Sequence, residues 1–218
     1  MLEKRPVLPL VFAAAAAGAV AIPTGGSPQP DDSNVPSKIR SGIILGVSLG
    51  AGVSGASGYP NDSTKIGNPA YYSASGPMFG SSATVLVMGA LSDYVNFGFW
   101  FDHADFRNGD WRSDGNAGGL RVDVFPFIRL YPPLDGLGLF GEFGIGGGNL
   151  TSTGPGGPGS SGTQSFVAPG AFYEWSFWRV FGGHFGAGPS LEYDAIWSPA
   201  FERHGLVATA RFVFYGGP

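Results

Sequence analysis

The sequence predicts an all-β fold, an eight-stranded antiparallel up-and-down transmembrane β-barrel, and three observations predict it. Apolar side chains alternate with small or charged ones at a period of two in one segment after another. The connections between those segments alternate long and short. Finally, 38 Gly, 18 Phe and a charged fraction of only 13% are unusual for a soluble enzyme, while 43% hydrophobic residues give ample apolar surface to bury.

The first segment, 40–54, sets Ile43, Leu45, Val47, Leu49, Ala51 and Val53 on one face and Gly42, Gly46, Ser48, Gly50 and Gly52 on the other, with Ile44 as the exception. The second, 80–91, is mostly apolar. The third, 94–105, alternates Val95, Phe97, Phe99 and Phe101 against Asn96, Gly98, Trp100 and Asp102. In the fourth, 117–131, Leu120, Val122, Val124, Ile128 and Leu130 oppose Arg121, Asp123, Arg129 and Tyr131. The fifth, 137–148, sets Leu137, Leu139, Phe143 and Ile145 against Phe140 and Glu142. The sixth, 165–177, surrounds Glu174 with aromatics, and the seventh, 180–193, places Phe181, Phe185 and Leu191 opposite His184, Ser190 and Glu192. The last, 204–215, opposes Leu206, Ala208, Ala210, Phe212 and Phe214 to Thr209 and Arg211. Each segment is near the length that a tilted strand needs to cross a bilayer.

The spacing predicts long connections at 55–79, 106–116, 149–164 and 194–203. It predicts short ones at Ser92-Asp93, Pro132 to Gly136 and Trp178-Arg179. Membrane barrels alternate in this way because one end carries tight turns and the other extended loops.

The charged residues set the orientation of the wall. An outward polar face would be dominated by bare glycine, which a solvated strand has no reason to carry. With that face turned inward, small residues fit a narrow lumen and the charges pair across strands. The expected interior network is Arg121, Asp123, Arg129, Glu142, Glu174, Glu192 and Arg211, with Arg129 near Glu142 and Glu192 near Arg211. Aromatics near strand ends are expected at the membrane interfaces: Tyr94, Tyr131, Trp175, Trp178, Tyr193, Trp197 and Tyr215.

Ahead of the strands, Lys4 and Arg5 precede an apolar run from Val7 to Ala21 that ends in the small-x-small pattern Ala19-Val20-Ala21. The run is too short to span a bilayer, so residues 1–21 read as an export signal cleaved after Ala21. Residues 22–38 then form a flexible periplasmic lead-in, and 39–218 the barrel domain. Loss of the leader leaves a formal charge of about −5 and no basic patch, which disfavours nucleic acid. Cysteine is absent, excluding disulfides and thiolate chemistry.

Together the leader, the eight segments and the loop pattern make residues 39–215 resemble the small outer-membrane barrels of the OmpA/OmpX type. The closing Ala210-Arg211-Phe212-Val213-Phe214 resembles the aromatic carboxy-terminal signal of that family, although the chain goes on to Tyr215-Gly216-Gly217-Pro218. The resemblance implies a Gram-negative outer-membrane location, contact with outer-membrane lipid, and the barrel-assembly machinery as partner during insertion. No periplasmic peptidoglycan-binding domain is expected after the barrel, because the sequence ends there.

Eight strands enclose a space filled by side chains, so a wide porin is not expected. The leading functional expectation is a structural or surface-interaction role through four long extracellular loops. The first of these carries Tyr59, Tyr71 and Tyr72, and its ligand is not specified by the sequence. One alternative is a lipid-modifying enzyme using a Ser-His-acid set. His103 lies beside Asp102 and Asp105, but His184 and Ser190 would stand roughly 20 Å apart along one strand. Another alternative is a soluble periplasmic barrel binding a small apolar ligand. Asp102, His103 and Asp105, or Asp31 and Asp32, are possible metal ligands without diagnostic spacing. Gly144 to Gly148 lacks the Lys-Ser/Thr of a phosphate loop. No catalytic, cofactor or metal residue is therefore assigned. Mass spectrometry of the exported protein is expected to place its amino terminus at Ile22; an intact leader would contradict the cleavage reading.

Overall fold

The computed structural model describes residues 40–59, 65–152, 159–180 and 182–217. The leader, the lead-in with Asp31 and Asp32, and Phe181 lie outside the described residues.

Nine strands follow in chain order: β1 (Ile43–Gly58), β2 (Ser73–Ala90), β3 (Val95–Arg107), β4 (Trp111–Val124), β5 (Leu137–Ser152), β6 (Gly159–Tyr173), β7 (Trp175–Val180), β8 (Gly183–Trp197) and β9 (Phe201–Gly216). All pair antiparallel with their sequence neighbours, except that β6 pairs with β8 and not with β7, and β1 pairs also with β9. β6 and β7 are one strand of the wall interrupted at Glu174. Phe172 opposes Ser190 and Trp175 opposes Ala187, so the register on β8 runs through the break unchanged. Pairing of β6 with both β5 and β8 closes an eight-stranded barrel.

Register fixes the strand tilt. Phe166 opposes Gly144, which opposes Gly119, and the line continues through Trp100, Leu86, Gly46, Val213 and Gly186 to Ser176. The circuit ends about ten residues along the strand where it began. For eight strands that stagger corresponds to a tilt of roughly 40°. The same circuit shows why the lumen needs glycine. Large and absent side chains share one narrow ring: a Cβ on Gly144 would lie 3.0 Å from Trp100 Cζ2, and one on Gly46 would lie 2.8 Å from Val213 Cγ1.

Apolar side chains fill the lumen at three levels. Phe125, Ile128, Phe140 and Phe172 close the end that holds the start of β1 and the end of β9 (the base). Ile44, Leu86, Trp100, Phe166 and Val213 pack at mid-height, with Trp100 and Phe166 ring centroids 4.6 Å apart. Met78, Phe106, Leu150 and Phe201 pack toward the opposite end, the rim. Ile44, the residue that broke the alternation of the first segment, is thus an inward packing residue.

Every predicted segment overlaps a strand, but the fourth is strand only as far as Val124, and the connections differ from expectation. Between β3 and β4 only 108–110 intervene, and between β8 and β9 only 198–200. The predicted loops at 106–116 and 194–203 are mostly paired strand. Asn108 makes the first turn: its Oδ1 accepts from the Asp110 and Trp111 amides, and its Nδ2 donates to Ser75 and Pro77 carbonyls. Ser198 Oγ accepts from the Ala200 and Phe201 amides in the second. β1, β2, β5 and β6 likewise run well into the predicted long loops. Conversely, β4 stops at Val124, and the connection to β5 occupies 125–136 instead of a tight turn. Pro126 supplies no donor for a ladder there, and Arg129 adopts a left-handed φ of 61°. Ile128, expected on the outer face, is tucked under the base. Strict alternation of long and short connections therefore does not hold.

Trp100→Ala is expected to lower unfolding free energy by about 3–5 kcal/mol in urea titrations in lipid vesicles. Phe99→Ala, whose ring is 55% exposed on the outer wall, is expected to lower it far less.

Candidate functional site

Two regions carry chemistry: the charged lumen and the outer wall near the rim. The period of a strand turns every second residue of each wall element inward, and this brings distant carboxylates and guanidinium groups together.

At the base, Arg40 enters ahead of β1. Its backbone amide donates to Asp93 Oδ1 (3.2 Å), its guanidinium lies 3.6 Å over the Phe125 ring, and Nη2 stands 4.0 Å from Glu174 Oε1. The Tyr215 hydroxyl donates to Glu174 Oε2 (3.1 Å). Arg211 donates to Asp123 Oδ2 (2.7 Å), and Arg121 donates to Asp123 Oδ1 (2.6 Å) and Glu142 Oε1 (2.5 Å). Toward the rim, Arg203 donates to Asp194 Oδ2 (3.0 Å), and Asp102 accepts from the Ser82 and Thr84 hydroxyls, both at 2.9 Å. Arg121, Arg203 and Arg211 also stack on phenyl rings, of Phe140, Phe106 and Phe172 at 3.8, 5.0 and 4.2 Å.

Of the residues expected in this network, Arg121, Asp123, Glu142, Glu174, Glu192 and Arg211 are buried in the lumen. Arg129 is not. It sits in the base turn, where its Nη2 donates to Asp93 Oδ2 (2.5 Å) and its amide to Asp135 Oδ1 (2.9 Å). The pairings also differ: Glu142 is held by Arg121, and Arg211 by Asp123 and Glu174. Glu192 is 7% exposed and has neither hydrogen bond nor ion pair among the described residues. A void of about 10 Å³, room for one water, lies beside Asp102, Gln164 and Arg203.

Sequence reasoning did not place Arg40, Asp93, Asp194 and Arg203 in the lumen. Two signals were available. Arg203 is eight residues from Arg211, and Asp194 two from Glu192, so each shares its neighbour's face. The same parity puts Tyr215 with Arg211, and Tyr215 is fully buried, not interfacial. Tyr94, Tyr131, Trp175, Trp178, Tyr193 and Trp197 are exposed on the outside, the first four at the base and the last two toward the rim.

Outside, Leu45, Val47, Val85, Phe97, Phe99, Leu120, Phe143 and Phe212 make an apolar band. On β3 the band gives way at His103, whose Nδ1 is 3.0 Å from Asn116 Oδ1. Beyond it, Asp105 binds Arg107 (3.3 Å) and Arg112 (3.0 Å), an exposed cluster worth little to stability. The first connection contributes Tyr59 edge-on to Tyr72 at 5.4 Å, and Lys65 over the Tyr71 ring at 4.1 Å.

The histidines are dispersed. Asp102 points into the lumen while His103 and Asp105 point out, so those three do not converge. His184 stacks on Tyr215 at 4.6 Å, and Ser190 Oγ donates to the Ala171 carbonyl (3.4 Å). Among the described residues no three His, Asp or Glu side chains form a metal-ligand set.

No protein-family model matches the chain, and no curated protein matches it. Among solved structures, the chain is similar to Ail, the attachment invasion locus protein of Yersinia pestis. The TM-score is 0.44 and the identity 14%, covering 79% of this chain and 99% of that one. It is similar to Neisserial surface protein A (NspA), with TM-score 0.41 and 14% identity over 78% and 96% of the two chains. It is also similar to the N-terminal β-barrel domain of Pseudomonas aeruginosa OprF, with TM-score 0.39 and 13% identity over 79% and 98%. By its own topology the chain is a closed, all-antiparallel eight-stranded β-barrel, and it resembles the small outer-membrane barrels.

Arg211→Met, which leaves Asp123 with Arg121 alone and Glu174 with Arg40 and Tyr215, is expected to destabilise the barrel by about 3–5 kcal/mol in denaturant titrations. Glu192→Gln removes an uncompensated carboxylate and is expected to leave stability unchanged or raise it; a loss as large as that of Arg211→Met would contradict the assigned pairings.

Proposed function

We propose that the chain is a Gram-negative outer-membrane barrel whose lumen is a structural plug and whose role is carried by its outer surface at the rim. The observation that supports this most is the inversion of polarity. Apolar side chains face outward in a continuous band, while Arg121, Arg203 and Arg211 face inward, each held between a carboxylate and a phenyl ring. In water that arrangement would expose a large apolar surface and bury charge for no gain; in a bilayer both choices are favourable.

The three apolar clusters and the ion pairs that cross the lumen support a structural or surface-contact role over a wide pore, and the void beside Asp102 has room for only one water. The separate engagements of His103, His184 and His204 support the same reading over a Ser-His-acid hydrolase. Insertion by the barrel-assembly machinery, contact with outer-membrane lipid and an extracellular ligand all belong to this proposal. The contact surface it offers is the β3–β4 and β8–β9 hairpins, together with the tyrosines of the β1–β2 connection.

Expression in a Gram-negative host is expected to give a protein in the outer-membrane fraction with heat-dependent gel mobility. In intact cells protease should cut between Gly58 and Ser73. A soluble monomer obtained without detergent would overturn the membrane reading, and porin-sized conductance steps in planar bilayers would overturn the plug.

A further inference from the structure

At the rim, side chains from neighbouring strands stand in one outward row. Ser57 on β1 opposes Glu202 on β9, and Glu202 opposes Trp197 on β8. Tyr72, just ahead of β2, reaches back to the same place, where its hydroxyl donates to Ser57 Oγ at 2.9 Å. Ser57 Oγ in turn donates to Glu202 Oε1 at 3.1 Å. The relay fixes one carboxylate oxygen of Glu202 and leaves the other open, and no cation pairs with Glu202 among the described residues. An aromatic residue flanks the carboxylate on each side, Tyr72 being 50% and Trp197 39% exposed. From Ser57 to Trp197 the row covers two strand spacings, roughly 10 Å.

Two residues down β9, His204 opposes Gly55 on β1. Gly55 presents no side chain, and a concavity of about 320 Å³ opens there between Val53, Pro77, Tyr193, His204 and Leu206. His204 Nδ1 lies 2.8 Å from the Tyr193 hydroxyl, and Trp197 stands edge-on to the imidazole at 6.2 Å. Whichever of the two donates, the pair keeps one N–H or O–H for an outside acceptor. The surface is also set in advance. The Tyr59 amide donates to the Ala200 carbonyl at 2.7 Å, and its ring packs edge-on to Tyr72, so the first connection is tied to the β8–β9 turn.

We propose that this ledge and concavity bind a neutral oligosaccharide presented from outside the cell. A pyranose has an apolar C–H face and an edge of hydroxyls, and the surface offers the complement of each. One sugar sits in the concavity with its C–H face on Pro77 and Leu206, and one of its oxygens accepts from the His204–Tyr193 pair. Hydroxyls of the next sugar donate to Glu202, while its C–H face lies on the electron-rich ring of Trp197. A carboxylate that welcomes hydroxyl protons repels sulfate, phosphate and sialic acid, so anionic glycans are excluded. Glu202 and Trp197 are the last pair before the turn at 198–200, and a saccharide arriving from outside meets them first. The site rests on the outward orientation of the rim given above.

The test applies fluorescent vesicles carrying the inserted protein to immobilised neutral oligosaccharides, to sialylated and sulfated ones, and to lipopolysaccharide of the expression host. The wild type is expected to bind within the neutral set and to neither anionic class. The best-bound neutral oligosaccharide is then titrated against the wild type and three variants. Glu202→Gln, which exchanges a charged acceptor for a neutral one, should weaken binding about tenfold. Trp197→Ala should weaken it about fivefold. Gly55→Leu should abolish it by filling the concavity, and the wall tolerates the change, since a Cβ there meets only Gly76 O at 3.7 Å. Binding to no neutral glycan, a preference for anionic glycans, binding to the host lipopolysaccharide alone, or unchanged affinity in Glu202→Gln and Gly55→Leu would each overturn the site. Vesicle insertion and heat-dependent mobility of all four proteins are measured in parallel. Failure of the wild type to insert would sink the membrane reading, whereas insertion without glycan binding would sink the saccharide site alone.

Discussion

Charge inside a narrow closed wall is the constraint on which the rest of this barrel depends. A guanidinium removed from water without a partner is destabilising by several kcal/mol, and a lumen packed with side chains leaves little water to help. Arg121 and Arg211 meet this by facing a carboxylate and lying on a phenyl ring at once. The contacts also determine shape. Arg211 on β9 and Asp123 on β4 are four strands apart in the sheet order, so their 2.7 Å hydrogen bond spans the lumen. Arg121 extends the bridge to Glu142 on β5. A wall that depended only on neighbour-to-neighbour ladders could flatten; this one is braced across its diameter.

The brace works because the lumen is small, and the lumen is small because glycine and bulk alternate around it. Trp100 and Phe166 reach the axis only where Gly144 and Gly119 give way. Composition, stagger and charge pairing are thus one solution. A larger residue at Gly144 would meet the Gly118 carbonyl of the neighbouring strand first and Trp100 Cζ2 next, at 3.0 Å, so wall and core would both have to shift.

Much of this was legible in the sequence, for a physical reason. Where one face is apolar and points outward and the other lines the lumen, strand periodicity is written as hydrophobic alternation, and β1, β3 and β9 carry it clearly. Beyond the apolar band both faces are polar or glycine, the alternation disappears, and the backbone still pairs. Hence Trp111 to Asn116 and Asn149 to Ser152 looked like loop and are ladder. The opposite error occurred at 125–131, where Ile128 and Leu130 mimicked alternation across a turn; Pro126 was the contrary signal. In the lumen, residue type announced charge, but partner choice depended on register. Glu142 met Arg121 and not Arg129 because β4 ends at Val124.

The hairpins that rise past the band have a consequence for recognition. Three-residue turns tied by Asn108 and Ser198 hold the β3–β4 and β8–β9 tips in one conformation before anything arrives. A partner docking there would not have to freeze a mobile loop, so little of its contact energy would be lost to ordering the surface it meets. A rim of that kind would discriminate by fixed outline, in the manner of a key, and sequence drift at its tips would change that outline abruptly instead of being absorbed by slack.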